Sequence, residues 1–327
     1  MKPRKKVLIA YDGSECAGAA LLDLRWAGLP RETEAVLLTV ADVWPPPAPV
    51  DSYDSFAFEL DDQIRAKAEA LRRYVAQALD ESRALADGAA ERVRSMFPNW
   101  EVRVEARVGA PAWELIKRAD EWQPDLLVVG SHGRTALGRV FLGSVSQKAL
   151  NEARCSVRIA RGRKRSDAQP LRVLVAVDGS PNAEAAAQAV AGRAWPEGAE
   201  VRLIAADDPF NRSGAGYIRW DLEKMEPKSG EEAQAWVSQV IESPTRMLRD
   251  AGLNVSQTIR WGDARHTILE EAERWEADCI VMGARGLGRL HRFLLGSVSS
   301  AVAARAACSV EVIRLALSAH RIQDEAT

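Results

Sequence analysis

The chain has 327 residues, 47% of them apolar and 28% charged, with a formal net charge of −2. That balance is typical of a soluble globular protein and argues against a dedicated nucleic-acid binder, whose footprint is strongly basic. No run approaches the roughly 18–20 apolar residues that cross a bilayer. After the basic KPRKK start only VLIAY is apolar before Asp12, too short for a signal-peptide core, so a cytoplasmic protein is expected. Cys16, Cys155, Cys279 and Cys308 lack CxxC or metal-ligand spacing, and free thiols are expected rather than disulfides.

In chain order, VLIAY (7–11) is a short apolar run closed by Asp-Gly-Ser, as suits a buried parallel strand ending in a turn. ECAGAALLDLRWAG reads as a helix and EAVLLTVAD (34–42) as a second strand. The Pro-rich WPPPAPVDSYDSF (44–56) is a long connection or a lid, and the charged amphipathic stretch after it is one long helix or two. EVRVEARVG is a third strand. In the helix PAWELIKRADEW, Trp113, Ile116, Ala119 and Trp122 fall on one face. DLLVVG (125–130) is a fourth strand, SVSQKALNEA a helix and SVRIA (156–160) a fifth strand.

The polar, basic RGRKRSDAQP (161–170) reads as a linker, and then the same order recurs. Its strands are VLVAV (173–177), EVRLIAADD (200–208), NVSQTIRWG, DCIVMG (278–283) and SVEVI (309–313), with Pro244 expected to break or bend the helix that contains it. Gly109 and Gly262, Trp122 and Trp275, Asp125 and Asp278, and Cys155 and Cys308 all lie 153 residues apart, whereas Asp12 and Asp178 lie 166 apart. A repeat near half the chain length is a duplicated domain. The expected architecture is α/β: two repeated doubly wound, Rossmann-like domains at 1–163 and 171–327, each an open sheet of five mainly parallel strands, joined by 164–170.

Both repeats carry Gly-x2-Gly-x9-Gly-Ser: Gly130, Gly133, Gly143 and Ser144, then Gly283, Gly286, Gly296 and Ser297. Glycine lets backbone N–H groups approach an anion closely, and a helix opening at the Gly-Ser pair offers unpaired N–H groups and a favourable dipole to a phosphate. Ligands of doubly wound sheets bind where the strand order reverses. If strands one and four are neighbours there, Asp12 converges with Gly130 and Asp178 with Gly283. No lysine follows the last glycine, so neither loop is a Walker A motif. Ser144 and Ser297 are candidates to donate to phosphate, to ligate Mg2+ or to cap a helix. Arg139 and Arg292 either reach phosphates or are solvated. His132 has Arg285 as its counterpart, so a catalytic base there would be present in only one copy. No catalytic constellation and no metal site is read from the residues. Trp122 and Trp275 suggest helix packing rather than base stacking.

The repeated VLIAYDGS/VLVAVDGS opening, the VGAP and VVGSHG passages, both glycine loops and the closing Cys-Ser-Val together resemble a tandem universal stress protein of the ATP-binding type, over nearly the whole chain. The resemblance implies that Asp12 and Asp178 lie near the adenine with the backbone at Ala10 and Ala176. It also implies that Val40 packs on the base (Ala206 is its counterpart), and that Val129, Gly130, Met282 and Gly283 flank the ribose and first phosphate. Gly133, Gly143, Ser144, Gly286, Gly296 and Ser297 would cradle the phosphates, with Val145, Ser146, Val298 and Ser299 continuing each helix start. The family usually has Cys-Pro-Val where Ser156 and Ser309 stand here, which leaves dimer pairing open. The implied function is an ATP-binding stress-response sensor or regulator with at most slow hydrolysis. Its ligand would be ATP, with or without Mg2+, or ADP or AMP. Its assembly would be an intrachain pseudo-dimer that further forms a homodimer and meets an unknown protein partner, without nucleic acid or membrane. The alternatives are a non-catalytic interaction scaffold with degenerate sites, and an ATPase enzyme.

Overall fold

The computed structural model describes residues 4–43, 62–133, 142–162, 169–207, 230–286 and 295–315. The chain forms two compact units. The first comprises residues 1–153 with 159–162, and the second comprises 154–158 with 163–327.

In the first unit, β1 (Lys5–Ala10), β2 (Thr33–Ala41), β3 (Glu101–Val108) and β4 (Leu126–Gly130) lie in the order β3-β2-β1-β4, every pairing parallel. Side chains alternate across the sheet. Val7, Ile9, Leu37 and Val128 face one way, against Leu21 of α1 (Glu15–Asp23) and Leu24 just after it, and against Ala86, Ala90 and Val93 of α2 (Asp62–Met96). The sequence allowed one helix or two in that region, and the structure has one. Only its C-terminal half carries the three-and-four spacing of buried alanines; Leu71 and Tyr74, further forward, are exposed. Leu8, Leu38 and Leu127 point to the other face, where α3 (Pro111–Trp122) supplies Leu115, Ile116 and Ala119. Trp113 leaves this apolar stripe and is 64% exposed, with Lys148 of α4 (Ser144–Glu152) over its ring at 3.5 Å.

β5 (Ser156–Ala160) is divided between the units, its residues up to Arg158 grouping with the second. There β6 (Arg172–Val177), β7 (Glu200–Asp207), β8 (Asn254–Trp261), β9 (Cys279–Gly283) and β10 (Ser309–Ile313) run in the order β10-β9-β6-β7-β8, again parallel. The helices are α5 (Pro181–Ala191), α6 (Gly230–Asp250), α7 (Ala264–Arg274) and α8 (Ser297–Arg305). The expected break at Pro244 does not occur, and α6 passes through it. A proline removes one N–H from the ladder. Burial of Ile241 and Leu248 holds the helix on both sides of it, while Thr245 Oγ1 donates to the Ile241 carbonyl at 2.7 Å.

The duplication extends to details that hold the strands in register. Asp125 and Lys6 exchange two bonds, Lys6 N donating to Asp125 Oδ2 at 2.8 Å and Asp125 N donating to the Lys6 carbonyl at 2.9 Å. Asp278 and Arg172 do the same at 2.9 and 2.8 Å. Trp122 and Trp275 pack as expected of structural residues, each under two cations: Lys6 and Arg118 for the first, Arg172 and Arg202 for the second. None of the four cysteines is in a disulfide.

Candidate functional site

β1 has β2 on one side and β4 on the other, so the strand order reverses between β1 and β4, the place where doubly wound sheets bind ligands. The chain leaves β1 through Asp12-Gly13-Ser14, a turn that needs the positive φ of Gly13 (78°). Asp12 Oδ1 accepts from Ser14 N at 3.0 Å, and Ser14 Oγ accepts from Ala17 N at 3.1 Å, which caps α1. Asp12 Oδ2 faces the glycine loop: a Cβ placed on Gly133 would lie 3.0 Å from it.

At the end of β4, a Cβ on Gly130 would stand 3.0 Å from the carbonyl carbon and oxygen of Cys16 and 3.2 Å from Ala17 N. A side chain at Gly130 would press on the first turn of α1, which glycine leaves clear. The loop closes where Gly143 N donates to the Ser131 carbonyl at 2.9 Å, and Gly143, in an extended conformation, caps α4. Ser146 Oγ donates to the Gly130 carbonyl at 2.6 Å and ties the new helix back to the strand. Two helix N-termini therefore open near Gly130, with glycine backbone between them. This arrangement presents N–H groups and dipole ends to an anion.

The second unit rebuilds the site. Gly179 has φ 79°, Asp178 Oδ1 accepts from Ser180 N at 2.9 Å, and Ser180 Oγ accepts from Ala183 N at 3.2 Å to cap α5. A Cβ on Gly286 would run into Asp178 Oδ2, and one on Gly283 would lie 2.6 Å from the Asn182 carbonyl carbon. Gly296 N donates to the Ala284 carbonyl at 2.9 Å, and Gly296 caps α8. Ser299 Oγ donates to the Ala284 carbonyl at 2.9 Å, and Ser180 Oγ lies 3.2 Å from the Arg285 carbonyl.

The expected residues have matching exposure in the two copies, except that Ala10 is half-buried where Ala176 is buried. Gly133, Ser144, Gly286 and Ser297 are exposed at the crevice. Ala10, Asp12, Val40, Gly130, Gly143 and Val145 are half-buried, as are Asp178, Ala206, Gly283, Gly296 and Val298. Val129, Ser146, Ala176, Met282 and Ser299 are buried. The hydroxyls of Ser146 and Ser299 are spent on loop carbonyls. Capping is not the role of Ser144 and Ser297. They are the first helical residues, and the glycines before them hold the cap position with no side-chain bond. The capping serines are Ser14 and Ser180, which sequence reading passed over although Asp-Gly-Ser before an alanine-rich helix is a start signal. Cys16 and Asn182, the residues against the strand-ending glycines, carry no motif that would announce them.

His132 Nδ1 lies 3.1 Å from Ser131 Oγ, a contact the second copy lacks because Ala284 and Arg285 stand there. Arg139, Arg292, His291, His320 and the Pro-rich stretch 44–56 lie outside the described residues. Among the described residues no group of three or more His, Cys, Asp or Glu side chains could hold a metal, and no helix is long and apolar enough to cross a membrane.

Comparison with known proteins agrees with this duplicated geometry. The Universal stress protein family matches the chain twice, over residues 3–161 and 171–314. A universal stress protein of Mycolicibacterium smegmatis is 28% identical over 314 residues, covering 94% of this chain and 96% of its own. Universal stress protein Rv2005c of Mycobacterium tuberculosis is 28% identical over 326 residues, covering 96% and 99%. Among solved structures, a universal stress protein from Archaeoglobus fulgidus superposes with a TM-score of 0.58 at 23% identity, covering 94% of this chain and 98% of that one, a likeness of fold. Matched in both repeats, and along their full length by two-repeat relatives, the chain belongs to the universal stress protein family.

Proposed function

We propose that each repeat binds an adenine nucleotide, with the phosphates at the paired helix N-termini beside Gly130 and Gly283, and that the protein is a cytoplasmic, nucleotide-dependent stress regulator. The observation that carries this reading is the convergence, in both repeats, of two helix N-termini and an acid-bearing turn where the strand order reverses, brought together by Gly130, Gly133, Gly283 and Gly286. A methyl group at any of them would meet the backbone of a helix start or the Asp12 or Asp178 carboxylate.

ATP is the nucleotide the family resemblance implies, with ADP and AMP using the same cradle. A Mg2+ entering with it would be held mainly by the phosphates, since among the described residues each crevice offers one carboxylate, Asp12 or Asp178, and no group of ligands that could hold a metal. That carboxylate disfavours a bare polyphosphate and favours one whose charge a cation has reduced. Hydrolysis is expected to be slow, because a backbone cradle holds ground and transition states alike.

The test is to release and count the nucleotide carried by the purified chain, then repeat the count for Gly133→Val, Gly286→Val and the double variant. Two adenine nucleotides in the wild type, one in each single variant and none in the double variant are expected. A chain that carries none, and takes up no added ATP with Mg2+ by calorimetry, overturns the proposal and leaves an interaction scaffold.

A further inference from the structure

The second unit contains a charge cluster that the nucleotide reading does not use. Arg158 and Glu311 are both fully buried, 3.1 Å apart between Nη1 and Oε2. Arg193, nearly buried, donates to Glu311 Oε2 through Nη1 at 2.9 Å and to Oε1 through Nη2. Arg158 Nη1 also lies 3.2 Å from Cys279 Sγ. Burial alone would raise the Glu311 carboxyl, but Arg193 and Arg158 outweigh it and hold it below the ordinary carboxylate range.

Such a triad is an expensive way to fill a core. Taking ions out of water is costly, and apolar residues of similar volume often serve stability as well or better. Its sequence positions suggest another use. Arg158 and Glu311 lie 153 residues apart, which is the repeat offset: they are the same position in the two copies, opposite in charge, and they meet each other. Arg193 has no such match, since Ala27 stands at its counterpart in the first repeat, 166 residues earlier. A second copy of the strand Ser309–Ile313 in the place of Ser156–Ala160 would set a glutamate against Glu311, with Arg193 alone to serve two buried carboxylates. Like charges buried together are strongly disfavoured.

We propose that Arg158, Glu311 and Arg193 form a pairing code: the second unit accepts the closing strand of the first repeat and rejects another copy of its own. The duplication made the two strands alike, and the charge difference makes them distinguishable. The function is selectivity rather than stability, as for a single buried polar residue that sets the register of a coiled coil.

The test uses the full chain. Arg158→Met, Arg193→Ala and Glu311→Met together remove all three charges. The triple variant is expected to keep its circular dichroism and to unfold at or above the wild-type temperature. After denaturation and refolding over a series of concentrations, wild type is expected to return as the single species it started from. The triple variant should return as several masses, whose share grows with concentration. A triple variant that refolds to the wild-type species at every concentration overturns the code. If the triple variant does not fold, two differently tagged chains decide. Arg158→Glu, and Glu311→Arg with Arg193→Ala, each place like charges together alone but are complementary when mixed. A one-to-one complex formed on co-refolding, and absent from either chain alone, supports the code, and two chains that never co-purify overturn it.

Discussion

The two repeats build the same crevice with different tolerances. In the first, a Cβ on Gly130 would be tight against the start of α1 but tolerable; in the second, one on Gly283 would overlap the Asn182 backbone, and one on Gly286 would have to displace the Asp178 carboxylate. The charges outside the crevice differ more. Arg118 of α3 pairs with Glu105 at 2.6 Å, both partly exposed. At the equivalent position in α7 stands Glu271, fully buried and ringed by Arg202, Arg260 and Arg274. Duplication preserved the backbone frame while the ion networks around it diverged to opposite sign, because a strand register is set by apolar alternation that either network leaves intact.

The largest expected difference is at these two positions. Glu271→Ala removes a buried carboxylate that three partly exposed arginines bond and should cost about 3 kcal/mol, whereas Arg118→Ala breaks a partly solvated pair and should cost about 1 kcal/mol. Chemical denaturation of each variant measures both, and equal losses would show that the inversion has no energetic consequence. The pH dependence follows the same asymmetry. Burial opposes ionisation of Glu271, but hydrogen bonds from Arg202 and Arg260 and the charge of Arg274 hold its carboxyl below the usual range. A group depressed on folding contributes its stability above its unfolded value and loses it as pH falls through the folded one. Amide protection in the second unit should therefore drop on acidification below the ordinary carboxylate range, and Glu271→Gln should flatten that drop.

Next in size are the strand-ending glycines. Gly283→Ala should cost about 3 kcal/mol and Gly130→Ala about 1 kcal/mol, since overpacking against backbone cannot be relieved by a side-chain rotation. Thermal unfolding without nucleotide is the measurement, and a reversed order would refute the difference in tolerance.

The smallest effect concerns helix starts. α7 is capped by Asp263, whose Oδ1 accepts from Arg265 N at 2.8 Å, while α3 begins at Ala110 with no side-chain cap. Asp263→Ala should lose about 1 kcal/mol and Ala110→Asp should gain a similar amount. Hydrogen bonds from the Arg265 side chain hold the Asp263 carboxyl at about 2. The cap thus persists in acid and is lost only as pH falls through that value, which amide exchange at the start of α7 would follow.

The two-repeat α/β order and the glycine pattern were legible because each is a local signal, whereas the convergence of Asp12 with Gly130 followed only from the strand order expected of the fold type, which the β1–β4 pairing bears out. Apolar strands end in Asp-Gly-Ser, and the loops are spaced identically. At Pro244 the helix does not break, because burial of Ile241 and Leu248 outweighs one lost backbone bond. Trp113 misled because helical spacing alone does not say where the buried stripe ends; the sheet beneath covers Ile116 and Ala119 but not the first turn. Ser144 and Ser297 were read as possible caps, yet the glycines before them already adopt the cap conformation.

The sequence by itself determined that this chain is a duplicated α/β protein with two matched glycine crevices, since periodicity and glycine spacing are properties of residues close along the chain. Only the tertiary structure decided that Cys16 and Asn182 crowd those glycines, and that Glu271 gathers three arginines. It also decided that Arg158 meets its own repeat counterpart, Glu311. Those contacts join residues far apart in sequence, and the burial that makes a charge costly or a methyl group impossible exists only once the chain has packed.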